Sequence, residues 1–318
     1  MTQLKNLVLS GGGVTALGFL GILKLLYEYD LIKEIEHYVG TSMGAIICYL
    51  LTIGFNHNEL LEFSKLFNFS KITEDIKLDN FLNNYGFIDM NNIQIILKNI
   101  SSVKNINHDI TFEEHYQKTN KKLSITGTCL SDFKLYYFNY ENNPNMKIFD
   151  AILISCCIPL LFNPVEYDNK CWIDGGIINN FPIDYCNDEI DNTLGIAIKD
   201  VCFGKCSINP KKDLPDYLSN LFKCLVYSDT IKKLDHFDNY TIKYNFDISM
   251  IVDFNINSNE ILDIFNDAYE QGSSQIHIFK KFIKTTDTIS DEPLSLSDTD
   301  TIQKVVDKIS IDEEEENL

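Results

Sequence analysis

Ser42 sits at the centre of Gly40-Thr41-Ser42-Met43-Gly44, with a short apolar stretch at residues 37–39 before it and an apolar, helix-like run at 45–53 after it. That order reads as strand, tight turn, helix, with the serine at the apex. So sharp a turn presses its flanking residues against the neighbouring strand and helix, where positions 40 and 44 have room for glycine and little else. At the start of a helix, exposed backbone N–H groups and the dipole favour negative charge beside the serine. Ser42 is therefore a candidate nucleophile.

A serine hydroxyl attacks a carbonyl effectively only when a base takes its proton, and the resulting oxyanion needs aimed donors. Two further segments offer these groups. Trp172-Ile173-Asp174-Gly175-Gly176 follows a short strand, and its two glycines form a tight loop that aims the Asp174 carboxylate. The neighbouring Trp172 and Ile173 fit a partly buried pocket that raises the basicity of a carboxylate acting without an imidazole. Ser10-Gly11-Gly12-Gly13 lies between an apolar strand at 4–9 and an apolar helix at 14–29. Consecutive glycines there turn successive N–H groups into one concavity, suited to an oxyanion or a phosphate. Each such donor contributes ~2.7–4 kcal/mol to a transition state in a preorganised site. The expected roles are Ser42 as nucleophile, Asp174 as base and Gly11, Gly12 and Gly13 as oxyanion donors. Gly40, Gly44, Gly175 and Gly176 shape the two turns.

Two other readings of the same residues stay open at the level of sequence. Gly11 through Ala16 also fits the dinucleotide pattern G-x-G-x-x-A, which requires an acidic residue at the end of the second strand. That strand leads instead into Gly40-Thr41-Ser42. A Ser–Asp–His hydrolase would place its histidine after Asp174, at His236 in a polar, loop-like stretch or at His277 between Ile276 and Ile278. The nucleophile comes very early for that fold, after only two strands.

The elements that must position these groups alternate along the chain. Strands are expected at 123–129, 134–140, 165–167, 171–173 and 193–198, and helices at 58–67, 90–100, 111–116, 147–157, 214–227 and 260–284. The helix at 111 opens with a capping box, Thr111 with Glu114. Strands interleaved with helices predict an α/β domain with a mostly parallel sheet. The apolar runs at 46–53 and 151–162 are too short to span a bilayer and read as buried helices. Region 57–100 contains Phe63, Phe67, Phe69, Phe81, Tyr85 and Phe87, which read either as core or as a lid facing a lipid interface.

The chain has 318 residues, 45% of them hydrophobic and 12% aromatic, enough for one large α/β domain. All 27 basic residues are lysine and the net charge is −19, which excludes nucleic acid as an expected partner. The nine cysteines fall mostly in apolar segments and include no C-x-x-C pair. They read as reduced core thiols rather than disulfides or a metal site, and Cys202 with Cys206 lacks companion ligands. No run reaches 18 consecutive apolar residues and no secretory pattern opens the chain, so a cytoplasmic protein is expected. Residues 285–318 hold 11 acidic residues and two lysines, −9 of the total charge, and read as a disordered tail with a helical turn or two near 300–309.

These blocks, in this order, resemble the patatin-like phospholipase family. Ser10 to Val14 with Gly21-Ile22-Leu23-Lys24 is similar to the family's glycine-rich opening, and Gly40 to Ala45 to its nucleophile elbow. Residues 155–164, with Pro159 and Pro164, resemble the stretch preceding the dyad aspartate. Asp174-Gly175-Gly176 through Asn179-Asn180-Phe181-Pro182 resembles the aspartate motif itself. The likeness covers about 4–186, with a weaker trace at 269–272. It implies a three-layer α/β/α fold over residues 1–284 and a Ser42–Asp174 dyad that hydrolyses lipid acyl esters through an acyl-enzyme. It also implies no metal or cofactor, a lipid or phospholipid substrate, and transient peripheral contact with a membrane surface. In the family the glycine loop usually continues with a basic residue and another glycine. This chain has Thr15 and Ala16, which leaves a weakly catalytic lipid-binding protein on the same fold as the alternative.

Overall fold

The computed structural model describes residues 2–73, 78–201, 214–247, 251, 253–283 and 303. Cys202, Cys206 and the acidic stretch 285–318, apart from Gln303, lie outside those residues, as does the turn expected near 300–309 with that same exception.

The main sheet is built from β1 (Asn6–Leu9), β2 (His37–Gly40), β4 (Lys122–Cys129), β5 (Lys134–Phe138), β7 (Val165–Tyr167), β8 (Lys170–Asp174), β9 (Thr193–Asp200) and β10 (Thr241–Phe246). Its hydrogen-bonded order is β10-β9-β1-β2-β4-β8-β7, with β5 also paired to β4. The run from β10 to β4 is parallel, whereas β5, β8 and β7 join antiparallel. Two short strands, β3 (Gly86–Ile88) and β6 (Leu160–Phe162), form a separate parallel pair.

Helices cover both faces, and the strands show why. In β1 all four residues are buried. Leu7 and Leu9 join the larger core while Val8 joins a smaller one on the opposite face, with Val39, Phe181, Ile183 and Ala197. Side chains that alternate between two apolar layers require cover on both sides. The larger layer includes α1 (Phe19–Glu28), α2 (Met43–Thr52), α3 (His57–Leu66), α7 (Ile148–Cys156) and α10 (Ser258–Ser274). The smaller is closed by Leu234 of α9 (Leu214–His236) and by Phe237. The mostly parallel α/β/α architecture expected from the sequence is the one observed. The apolar run at 46–53 is largely buried in α2, whereas the run at 151–162 is buried as α7 through Cys156 and then ends in β6, where Leu160 is exposed.

Local signals explain several boundaries. The capping box of Thr111 and Glu114 starts the helix Phe112–Thr119, and similar boxes, Asn56 with Glu59 and Asn257 with Glu260, start α3 and α10. Other expectations are corrected. The helix expected over 14–29 is a 3-10 segment, Gly13–Gly18, leading into α1. Gly13 has φ +50° and the Val14 N–H donates to the Ile251 carbonyl at 3.1 Å, a tie across the fold that holds the first turns out of α-helical register. The helix expected at 214–227 continues to His236, its polar second half steadied by the Lys233–Asp229 pair at 3.0 Å. His236 thus ends a helix rather than sitting in a loop.

Candidate active site

The register of β4 brings the two candidate catalytic turns together. Ile125 pairs with Gly40 of β2 and with Phe138 of β5, so β2 and β5 border β4 on opposite edges. Gly127, Thr128 and Cys129 pair with both β5 and β8, so β8 shares the edge occupied by β2. β2 runs parallel to β4 and stops opposite Ile125, whereas β8 runs antiparallel and stops with Asp174 opposite Gly127. Their C-terminal ends therefore converge end to end. Two residues past Gly40 is Ser42, and the terminus of β8 is Asp174. Thr126, between the two ends, hydrogen-bonds the Thr41 hydroxyl at 2.7 Å.

Ser42 occupies the apex at φ +53°, ψ −128°, a region that disfavours any side chain, directly before α2. A Cβ at Gly40 would stand 2.6 Å from the Ala45 Cα, and one at Gly44 would stand 2.4 Å from the Ser10 carbonyl oxygen. Both glycines are sterically required, as the sequence predicted. The strained backbone is held by the Ser42 N–H donating to the Ser155 hydroxyl at 2.9 Å and by the Thr41 hydroxyl donating to the Asn179 carbonyl at 3.1 Å.

Asp174 is buried, and its N–H donates to the Cys157 carbonyl at 3.0 Å. Burial raises its pKa from 3.8 to about 7, held back by the Gly176 N–H, which donates to Oδ1 at 2.6 Å, and by the Ser42 hydroxyl. A carboxylate with that pKa is a base poised for neutral pH. A Cβ on Gly175 would approach Thr126 Oγ1 to 2.2 Å, so the loop lies tight against β4.

The glycine loop closes the third side. A Cβ on Gly11 would stand 3.3 Å from the Ser42 Cβ. The Gly11 N–H donates to the Asn180 carbonyl at 2.9 Å and is thereby engaged, while Gly12 and Gly13 line a cavity with Ser42 and Asp174. Of the three glycines expected as donors, Gly11 thus has its N–H already paired. Thr15 is buried, and its hydroxyl donates to the Gly12 carbonyl at 2.6 Å. It ties the loop from within, where the family's usual basic residue is replaced by a buried hydroxyl.

A model of the patatin-like phospholipase family matches residues 7–186, more than half of the chain. The chain belongs to the patatin-like phospholipase family. It is 38% identical over 188 residues to the probable lipid hydrolase 463L of Invertebrate iridescent virus 6, covering 57% of this chain and 62% of that relative. It is 29% identical over 208 residues to triacylglycerol lipase 4 of Saccharomyces cerevisiae, covering 56% of this chain and 22% of the lipase. The chain thus matches less than two thirds of either relative's length. Its fold is similar to that of VipD from Legionella pneumophila, with TM-score 0.57 at 14% identity over 97% of this chain and 74% of VipD. It is also similar to the type III effector ExoU, with TM-score 0.50 at 17% identity over 89% of this chain and 54% of ExoU.

Ser42 and Cys156 also line an apolar cavity of about 120 Å³. Ile46 and Leu50 of α2, Phe63 of α3, and Phe67 line its walls. Phe63, Phe67 and Phe69, open in the sequence between core and lid, all face this cavity; Phe81 stacks on Phe87 with centroids 4.5 Å apart, and Tyr85 is exposed. No histidine lines this cavity or the smaller one around Asp174. His236 packs edge-on against Phe237, and His277 lies in the short helix Ile276–Phe279. The structure does not bring either to the serine–aspartate pair. Nor does an acidic residue follow β2 to hold a ribose. Among the described residues, no helix is long and apolar enough to cross a membrane.

Sequence reasoning missed three supports. Ser155 accepts from the Ser42 N–H, and only a pattern within the proline-bearing stretch hinted at it. Asn180 holds Gly11, and Lys233 of α9 donates to both Asn179 Oδ1 and Asp184 Oδ1 at 2.7 Å. Nothing local in the sequence links Lys233 to a loop some 50 residues earlier.

Proposed function

We propose that this chain is a lipid acyl hydrolase acting through a Ser42–Asp174 dyad, with residues 1–284 forming its patatin-like domain. The observation that carries the reading is a strained serine that lies beside a buried carboxylate of pKa about 7 and lines an apolar cavity. Ionised Asp174 takes the Ser42 proton as Oγ attacks the ester carbonyl carbon. The N–H groups of Gly12 and Gly13 hold the tetrahedral oxyanion. The ester C–O bond breaks, the departing alcohol takes the proton from Asp174, and an acyl-Ser42 ester remains. Asp174 then removes a proton from water as it attacks the acyl carbon, and Oγ leaves with that proton to release the fatty acid. The apolar cavity would house the acyl chain, each buried methylene contributing ~0.8 kcal/mol.

Relatives named lipid hydrolase and triacylglycerol lipase support lipid esters as the substrate class. Access to such esters implies transient contact with a lipid surface, and the net charge of −19 favours an uncharged or zwitterionic one. The test is fluorophosphonate labelling of the wild type, Ser42→Ala, His236→Ala and His277→Ala, followed by triacylglycerol and phospholipid substrates in zwitterionic or anionic vesicles. Labelling is expected in all but Ser42→Ala, with faster hydrolysis on the zwitterionic surface. Labelling lost in a histidine variant would replace the dyad with a triad. Absence of labelling in folded wild type would leave a lipid-binding protein on this fold.

A further inference from the structure

Tyr227 lies on α9 with 3% of its surface exposed. Its hydroxyl is buried without a hydrogen-bond partner. Native proteins pair nearly all such groups, so an orphan calls for an explanation. Asn99 and Thr241 also bury an unpartnered polar atom, but neither lines a cavity with the catalytic pair. Tyr227 does. With Gly12, Gly13, Ser42 and Asp174 it bounds a cavity of about 20 Å³, room for one water-sized group.

We propose that the Tyr227 hydroxyl is a substrate-contacting donor, hydrogen-bonding the ester oxygen on which negative charge develops. This rests on the Ser42–Asp174 reading above. Among the described residues the lining of this cavity includes no lysine, and the chain has no arginine. Asn180, also in the lining, turns its amide toward the Gly11 carbonyl at 3.4 Å. Among the described residues the phenol is therefore the side-chain donor in this lining left without an acceptor. Burial, reinforced by the Asp200 carboxylate, pushes its pKa well up, so it stays protonated across the working pH range and acts as a fixed neutral donor. Its position is set from the same helix: Val226 beside it lines the cavity, and Lys233 ties α9 to Asn179 and Asp184. The hydroxyl finds its partner when substrate arrives, an arrangement in which an interaction absent from the free protein lowers the barrier.

The experiment is Tyr227→Phe in the full chain, assayed on p-nitrophenyl decanoate beside Ser42→Ala, with thermal melts of each free protein. The expected result is a fall of about 100-fold in kcat with KM within about two-fold. The melting temperature of Tyr227→Phe is expected to be unchanged or higher, because the deleted hydroxyl had no partner to lose. The rate should still rise with pH through the same midpoint, which Asp174 sets. A wild-type kcat in Tyr227→Phe would overturn the proposal. So would a lowered melting temperature, which would assign the hydroxyl a structural bond, or a raised KM at unchanged kcat, which would assign it to ground-state binding. Activity retained in Ser42→Ala would instead sink the dyad itself, whatever Tyr227→Phe does.

Discussion

The replacement Asp174→Asn tests the environment of the carboxylate separately from its chemistry. Burial raises the Asp174 pKa from 3.8 to about 7. Below the lower value both folded and unfolded chains hold the proton. Between the two values the unfolded chain has released it while the folded chain retains it, so stability falls as pH rises, by about 1.4 kcal/mol per pH unit. Above about 7 both forms are ionised and the loss levels off, at about 4 kcal/mol in total. Some 2–3 kcal/mol of that loss falls between pH 5 and pH 8. Asparagine keeps the shape and an oxygen for the Gly176 N–H but never ionises, so the variant lacks this term. Other titrating groups cancel in the difference between the two proteins. At about 2 °C per kcal/mol for a chain of this size, the variant should gain roughly 5 °C on the wild type between pH 5 and pH 8. Thermal melts at half-unit pH intervals read the gap, and hydrolysis of a soluble ester, measured in parallel, should be lost in the variant. In the wild type kcat/KM should rise with pH through about 7 as the base ionises. A gap that stays flat from pH 5 to pH 8 would refute the buried carboxylate; retained turnover in Asp174→Asn would refute its role as base.

Two further outcomes follow from the same geometry. Ser42 sits at φ +53°, where a side chain costs ~1–3 kcal/mol; Ser42→Gly should therefore be more stable than Ser42→Ala by about 1 kcal/mol in urea denaturation, after the glycine's larger unfolded-state entropy is offset. An alanine variant as stable as the glycine one would show that the turn is unstrained. Ile46, four residues beyond Ser42, lines the apolar cavity. Filling it with Ile46→Trp should exclude the distal part of an acyl chain, and losing three methylenes at ~0.8 kcal/mol each lowers kcat/KM on a dodecanoate ester about 50-fold. Hydrolysis of an acetate ester should be unaffected, and equal losses on both would place the acyl chain elsewhere.

The legible parts of this site are those whose chemistry is local. Gly40, Ser42 and Gly44 were readable because steric exclusion acts within five residues, and the Asp174 loop because two glycines must follow it. The capping box at Thr111 was readable for the same reason. What escaped depends on distant pairing. The strand Thr241–Phe246 carries Lys243 and Asn245 among its apolar residues and takes its identity from parallel pairing with β9. The β3–β6 pair joins segments more than 70 residues apart through three-residue strands, too short for a periodic signal. The engagement of the Gly11 N–H by Asn180 was invisible for a related reason: consecutive glycines advertise exposed donors, and which of them remain free is decided by the loop that comes to rest beside them.

The base strength of Asp174 is likewise set by opposing parts of the fold. Burial favours the protonated carboxyl and pushes the pKa up. The Gly176 N–H at 2.6 Å and the Ser42 hydroxyl pull it back toward ionisation. Additional donors would make it a stable anion too weak to take a proton from serine. The balance depends on β4, because Thr126 packs against Gly175 on one side and hydrogen-bonds Thr41 on the other. One short segment of a central strand thus braces both the Ser42 turn and the loop that donates to Asp174.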